Sequence, residues 1–110
     1  MNTFITFEGV EGSGKSTQIK RLGDYLEREN IPVVLTQEPS GTPIGRKIGD
    51  ILFHRENVAL CPETELLLFL AARAQHVREV ILPALQSGKT VLCDRYSDAT
   101  FAYQAAGRGL

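Results

Sequence analysis

Residues Thr3 to Phe7 alternate β-forming side chains, glycines then break the alternation, and from Lys15 apolar positions recur at Ile19, Leu22, Tyr25 and Leu26. Period two giving way to a period near 3.6 predicts a strand, a loop and a helix. Ile31 to Gln37 is a short β-branched run entered through Pro32 and closed by EPSGTP, which predicts a second buried strand. Thr42 followed by Pro43 has the chemistry of a helix start: a hydroxyl that accepts from an orphan N–H, then a residue whose φ is already helical. Apolar residues at Leu66, Phe69, Leu70, Val77, Val80 and Ile81 predict one long helix from Pro62 to about Gln86. Pro83 is expected to kink its last turn and Ser87-Gly88 to end it. Thr90 to Cys93 predicts a third strand, and a further helix is expected from about Ser97. Strands that are nearly all apolar and alternate with helices point to an α/β fold, a parallel sheet with helices on both faces.

The chain has 110 residues, 43% of them hydrophobic and 23% charged, enough for one compact core and too few for two ordinary domains. A single domain over residues 1–110 is the expected organisation. The net charge of −1 offers none of the clustered basic surface that nucleic acid or an anionic membrane selects, so small soluble ligands are expected instead. The apolar run Leu66 to Ala72 falls far short of the ~18 residues that span a bilayer. The amino terminus has no basic stretch followed by an apolar one, so a cytoplasmic protein is expected. Cys61 and Cys93 lie far apart without a CxxC or a histidine at metal spacing, and neither a disulfide framework nor a zinc site is expected.

Gly9 to Ser16, GVEGSGKS, fits the P-loop spacing GxxxxGK[ST] in the context that the motif requires, after a strand and opening a helix. Glycines let successive backbone N–H groups turn around an anion, and the helix amino end adds partial positive charge. Lys15 reaches the β- and γ-phosphates, and the Ser16 hydroxyl can coordinate Mg²⁺. Gly9, Val10, Glu11, Gly12, Ser13, Gly14, Lys15, Ser16 and Thr17 are therefore read as the ATP phosphate-binding stretch. A P-loop specifies a nucleoside triphosphate and no reaction, since GTPases, motors and small-molecule kinases share it. In a parallel sheet the segments QEPSGTP, LFLAARAQH and DRYSDATFAYQ come to the same edge as that loop.

With these segments in this order, and with Glu8 and Glu11 at the P-loop, the chain resembles over its whole length the thymidylate kinase family of nucleoside monophosphate kinases. The resemblance implies a P-loop kinase fold, transfer of the ATP γ-phosphoryl group to dTMP giving dTDP, Mg²⁺ bound with ATP, and a homodimer formed through the long helix. It implies catalytic roles for Lys15, Asp94 and Arg95: Asp94 holds Mg²⁺ together with Ser16, and Arg95 bridges donor and acceptor phosphates in a loose in-line transition state. For dTMP it implies Phe69 stacking on thymine, Arg73 donating to the base O4, Glu11 accepting from the 3′-hydroxyl and Glu38 lining the pocket. Thr100, Tyr103 and Gln104 would contact thymine and crowd the sugar 2′ position. On the residues alone other readings stand: Phe69 as core, Glu38-Pro39 as a turn, DRY as a surface ion pair, and Thr100, Tyr103 and Gln104 as a packed helix face. A kinase of another nucleotide or nucleoside, and a non-catalytic nucleotide-binding fragment, are the alternative functions. The acceptor is already an ionised phosphate and needs no catalytic base, so His54 and His76 are read as surface or packing residues.

The chain also departs from the family pattern. Gln37 stands where arginine usually precedes the Glu-Pro, and Gly49 where an arginine commonly reaches the acceptor phosphate. Arg46, three residues earlier on the same helix face, is expected to take over that contact. Ser13 stands where some members carry a P-loop arginine; in members without it, the arginine comes from a mobile lid. No lid segment is recognised before Leu110, so the sequence reads as the amino-terminal portion of a longer enzyme, and these residues alone are expected to phosphorylate dTMP poorly.

Overall fold

In a computed structural model, which describes residues 3–9, 14–54 and 59–96, strand β1 (Phe4–Gly9) leads toward helix α1 (Lys15–Arg28). Strand β2 (Val33–Glu38) and helix α2 (Pro43–Phe53) follow. Helix α3 (Pro62–His76) runs on through a π-helical turn (Val77–Ile81) into α4 (Leu82–Gln86), and β3 (Thr90–Tyr96) is the last described element. The strands form one parallel sheet in the order β1-β3-β2.

Alternation along β3 decides what each face receives. Val91 packs with Ile81 and Ala84 of the π turn and α4, with Val34, Val77 and Leu85 around them. Against the other face lies α1, where Gly23 is so close to Leu35 that a Cβ there would meet its side chain at 3.2 Å. Helices therefore cover both faces of the sheet, as the strand pattern predicts. No helix among the described residues is long and apolar enough to cross a membrane.

Four details differ from the sequence reading. Strand β3 continues three residues past Cys93, because Asp94, Arg95 and Tyr96 pair with β1 and the first two also with β2. Asp94 and Arg95 thus sit inside a ladder rather than beyond it. Among the described residues strand β2 is paired on one side only and carries Leu35 exposed, an edge rather than a buried strand. Tyr25, on the expected apolar face of α1, is exposed. The long helix departs from α geometry upstream of Pro83, where the Leu82 N–H bonds the Val77 carbonyl in π fashion. The helix expected from Ser97 lies outside the described residues.

Candidate active site

Parallel strands bring their carboxyl ends to one edge, and the polar residues of that edge fall into two groups. The first is built on the start of α1. Gly14 precedes it with φ +81°, a left-handed conformation that a side chain would strain although no atom lies within 4 Å of its missing Cβ. Among the described residues no side chain caps this helix, and its first turn holds no acidic residue, which suits its partial positive charge to an anion. From the first helical position the Lys15 ammonium reaches Asp94 Oδ1 at 2.6 Å and donates to the Arg95 carbonyl at 3.1 Å. Ser16 and Asp94 line a cleft of about 560 Å³ whose other walls include Gln37, Ser40, Gly41 and Arg46.

The second group lies on the opposite face of the sheet, because Arg95 follows Asp94 in the strand and Glu38 is its register partner. The buried Glu38 carboxylate accepts from Arg73 Nε at 2.8 Å and Arg95 Nε at 3.1 Å, both on Oε1, while Oε2 lies 2.8 Å from His76 Nδ1. His76 Nε2 in turn meets the Thr36 hydroxyl at 2.6 Å. Burial by itself would raise the Glu38 pKa, but the His76 and Arg73 hydrogen bonds and the charges of Arg73 and Arg95 hold it down at about 2. The Arg95 guanidinium also lies 5.4 Å from the centre of the Phe4 ring. Arg73 keeps 44% of its side chain exposed and can still meet a ligand. Cys93, buried near Glu38 and His76, is pushed up to about 12 by burial and the nearby Glu38 charge, which favours the neutral thiol. Glu38, His76 and Cys93 bring potential ligand atoms within 4.8 Å of one another, a grouping that spacing along the chain conceals.

The segment joining β2 to α2 connects the two groups. Thr42 caps α2 as its sequence predicts, its hydroxyl accepting from the Gly45 N–H at 2.9 Å with Pro43 at the first helical position. Gly41 lies against the His76 ring, and Gly49 lies beneath Ser40, whose Oγ would be 3.1 Å from an added Cβ. The crowding at Gly49 leaves Arg46, exposed one turn earlier, as the cation that α2 turns toward the cleft. Phe69 is half-buried and meets Phe53 edge-on with ring centres 6.2 Å apart.

Ser16, Asp94 and Arg46 thus line one cleft, with Lys15 paired to Asp94, and Glu38, Arg73 and Arg95 form the second cluster. Gly9 ends β1 and Thr17 is exposed in the first turn of α1. Val10, Glu11, Gly12, Ser13, Thr100, Tyr103 and Gln104 lie outside the described residues. His54 is exposed, 3.6 Å from Asp50, as a surface residue should be. His76 is buried and, beyond the packing role expected of it, bonds Glu38 and Thr36, contacts that are not visible in the sequence. The available signal was its position three residues after Arg73, which puts both on one helix face.

A parallel sheet between helices, a glycine-rich sequence between its first strand and first helix, and a lysine paired to the carboxylate of the neighbouring strand place the chain in the P-loop class of folds. The profile of the family described as thymidylate kinase matches residues 7–110. The chain is 60% identical over its whole length to the thymidylate kinase of Pelobacter propionicus, covering 50% of that protein, and 61% identical to that of Syntrophotalea carbinolica, covering 51%. A crystal structure of thymidylate kinase from Ehrlichia chaffeensis superposes with a TM-score of 0.80 at 44% identity, over 99% of this chain and 59% of that one. The chain belongs to the thymidylate kinase family. It spans about half the length of the curated relatives it matches.

Proposed function

We propose that the protein transfers the γ-phosphoryl group of ATP to dTMP, giving dTDP, and that this chain carries the phosphate loop and much of the acceptor site. The observation that carries the proposal is the meeting of Lys15 with Asp94 at the strand ends, one β3 residue away from an arginine cluster. Lys15 and the start of α1 hold the ATP phosphates. Ser16 and Asp94 are hard oxygen donors on one cleft and fit Mg²⁺, which when bound neutralises phosphate charge. Arg46 and Arg95 draw the acceptor phosphate into line with ATP, so that catalysis is positioning and charge stabilisation. Phe69 and Arg73, four residues apart on α3, take the thymine face and its O4. Glu38, held ionised, orients Arg73 and Arg95 rather than accepting a proton. Glu11, Thr100, Tyr103 and Gln104 complete the dTMP contacts in this reading.

The family resemblance extends the proposal to a cytoplasmic homodimer, supported by Leu67 and Leu70, which are 65% and 47% exposed on α3. Sedimentation of the full chain and of Leu67→Glu tests it, with a monomeric variant expected. Calorimetric titration with dTMP, dUMP, dCMP and thymidine tests the substrate. The expected order is dTMP, then dUMP weaker by ~1 to 3 kcal/mol for the lost methyl contact, with dCMP weakest because its amino group opposes Arg73. Preference for dCMP or for an unphosphorylated nucleoside would move the protein to another kinase specificity.

A further inference from the structure

His76 has no exposed surface, and both of its ring nitrogens have polar partners. Ionised Glu38 can only accept, so Nδ1 carries a proton and donates to Oε2. On the other side Nε2 meets Thr36 Oγ1, and the Gly41 backbone closes over that edge so tightly that an added Cβ would lie 2.6 Å from Nε2. The ring therefore has one orientation. Its consequence falls on the far side of the carboxylate. A glutamate's terminal torsion is broad, and a free carboxylate would offer two arginines one oxygen each. With Oε2 taken by His76, Arg73 and Arg95 converge on Oε1.

We infer that His76 is a positioning residue for dTMP binding: by occupying one Glu38 oxygen it forces Arg73 and Arg95 onto the other and so sets the distance between them. The inference rests on the dTMP kinase reading above. The same contacts make the grouping of Glu38, His76 and Cys93 a poor cation site, since two guanidinium groups already balance the carboxylate and both histidine nitrogens are engaged.

The test is steady-state kinetics on the full chain, with KM determined separately for dTMP and ATP. His76→Leu keeps the volume and removes the donor; loss of a hydrogen bond to a charged group is expected to raise the dTMP KM about tenfold or more while leaving the ATP KM within about twofold. His76→Asn keeps an amide N–H where Nδ1 stands and is expected to bring the dTMP KM back to within about threefold of wild type. A folded His76→Leu protein with unchanged dTMP KM, or an asparagine variant no better than leucine, overturns the inference. If His76→Leu does not fold, Thr36→Val keeps the ring and removes its outer anchor, and about a threefold rise in the dTMP KM alone is expected; no rise overturns the inference. Absence of dTMP phosphorylation by the wild-type protein would overturn the kinase reading and this inference with it, whereas unchanged variants overturn the inference alone.

Discussion

Glu38 is a carboxylate that the folded chain keeps charged against its burial, and this ties stability to pH. Its folded pKa, about 2, lies below the ordinary 4.5, so the stabilisation is complete above 4.5 and is lost as pH falls toward 2. A shift of that size corresponds to roughly 3 kcal/mol of stability at neutral pH. The gap in unfolding free energy between wild type and Glu38→Gln, followed by urea titration of the full chain, should therefore narrow as pH falls through that interval. A constant gap would mean that the ion pairs contribute nothing. Arg46→Ala should raise the dTMP KM about tenfold, the scale of one charge-assisted contact, and leave the ATP KM unchanged. An unchanged dTMP KM would assign the acceptor phosphate to another cation. Lys15 was legible from the motif spacing and Asp94 only through the family resemblance, since the apolar run of its strand stops one residue before it. His76 and Thr36 were not, since a buried histidine bonded to a carboxylate has the same local sequence as one that only packs.

The β2–α2 connection is the element on which both polar groups depend. Its helix start was readable from Thr42-Pro43, where chemistry is local. Its close fit was not: a Cβ on Gly41 would collide with the Gln37 carbonyl and crowd the His76 ring. Gly41→Ala is accordingly expected to destabilise the protein by about 1–3 kcal/mol, as overpacking does, read by urea unfolding. A neutral result would mean that the loop can withdraw from His76 without cost. The extent of β3 was underestimated for a related reason. Its apolar run stops at Cys93, but pairing on both sides carries the strand through Asp94 and Arg95. The π turn at Val77–Ile81 has no compositional mark, and only the i to i−5 bonding reveals it.

At the scale of the molecule, fold class was legible because nearly continuous apolar strands alternating with helices have few solutions other than a parallel sheet between helix layers. Strand order was not, because which strand takes the centre depends on contacts between distant segments; β3, the last of the described strands, lies between β1 and β2. That order sets Asp94 beside the P-loop strand and Arg95 beside Glu38, and so brings the two polar groups to the same edge of the sheet. The central claim is that this site moves a phosphoryl group from ATP to dTMP. It is tested most directly by coupled measurement of ADP release from the full chain with dTMP, dUMP or dCMP as acceptor, alongside Lys15→Ala. The account predicts release that depends on dTMP, is weaker with dUMP, and falls by about a hundredfold or more in Lys15→Ala, as loss of a charge aimed at transferring phosphate should produce. Release independent of dTMP, or undiminished in Lys15→Ala, would contradict it.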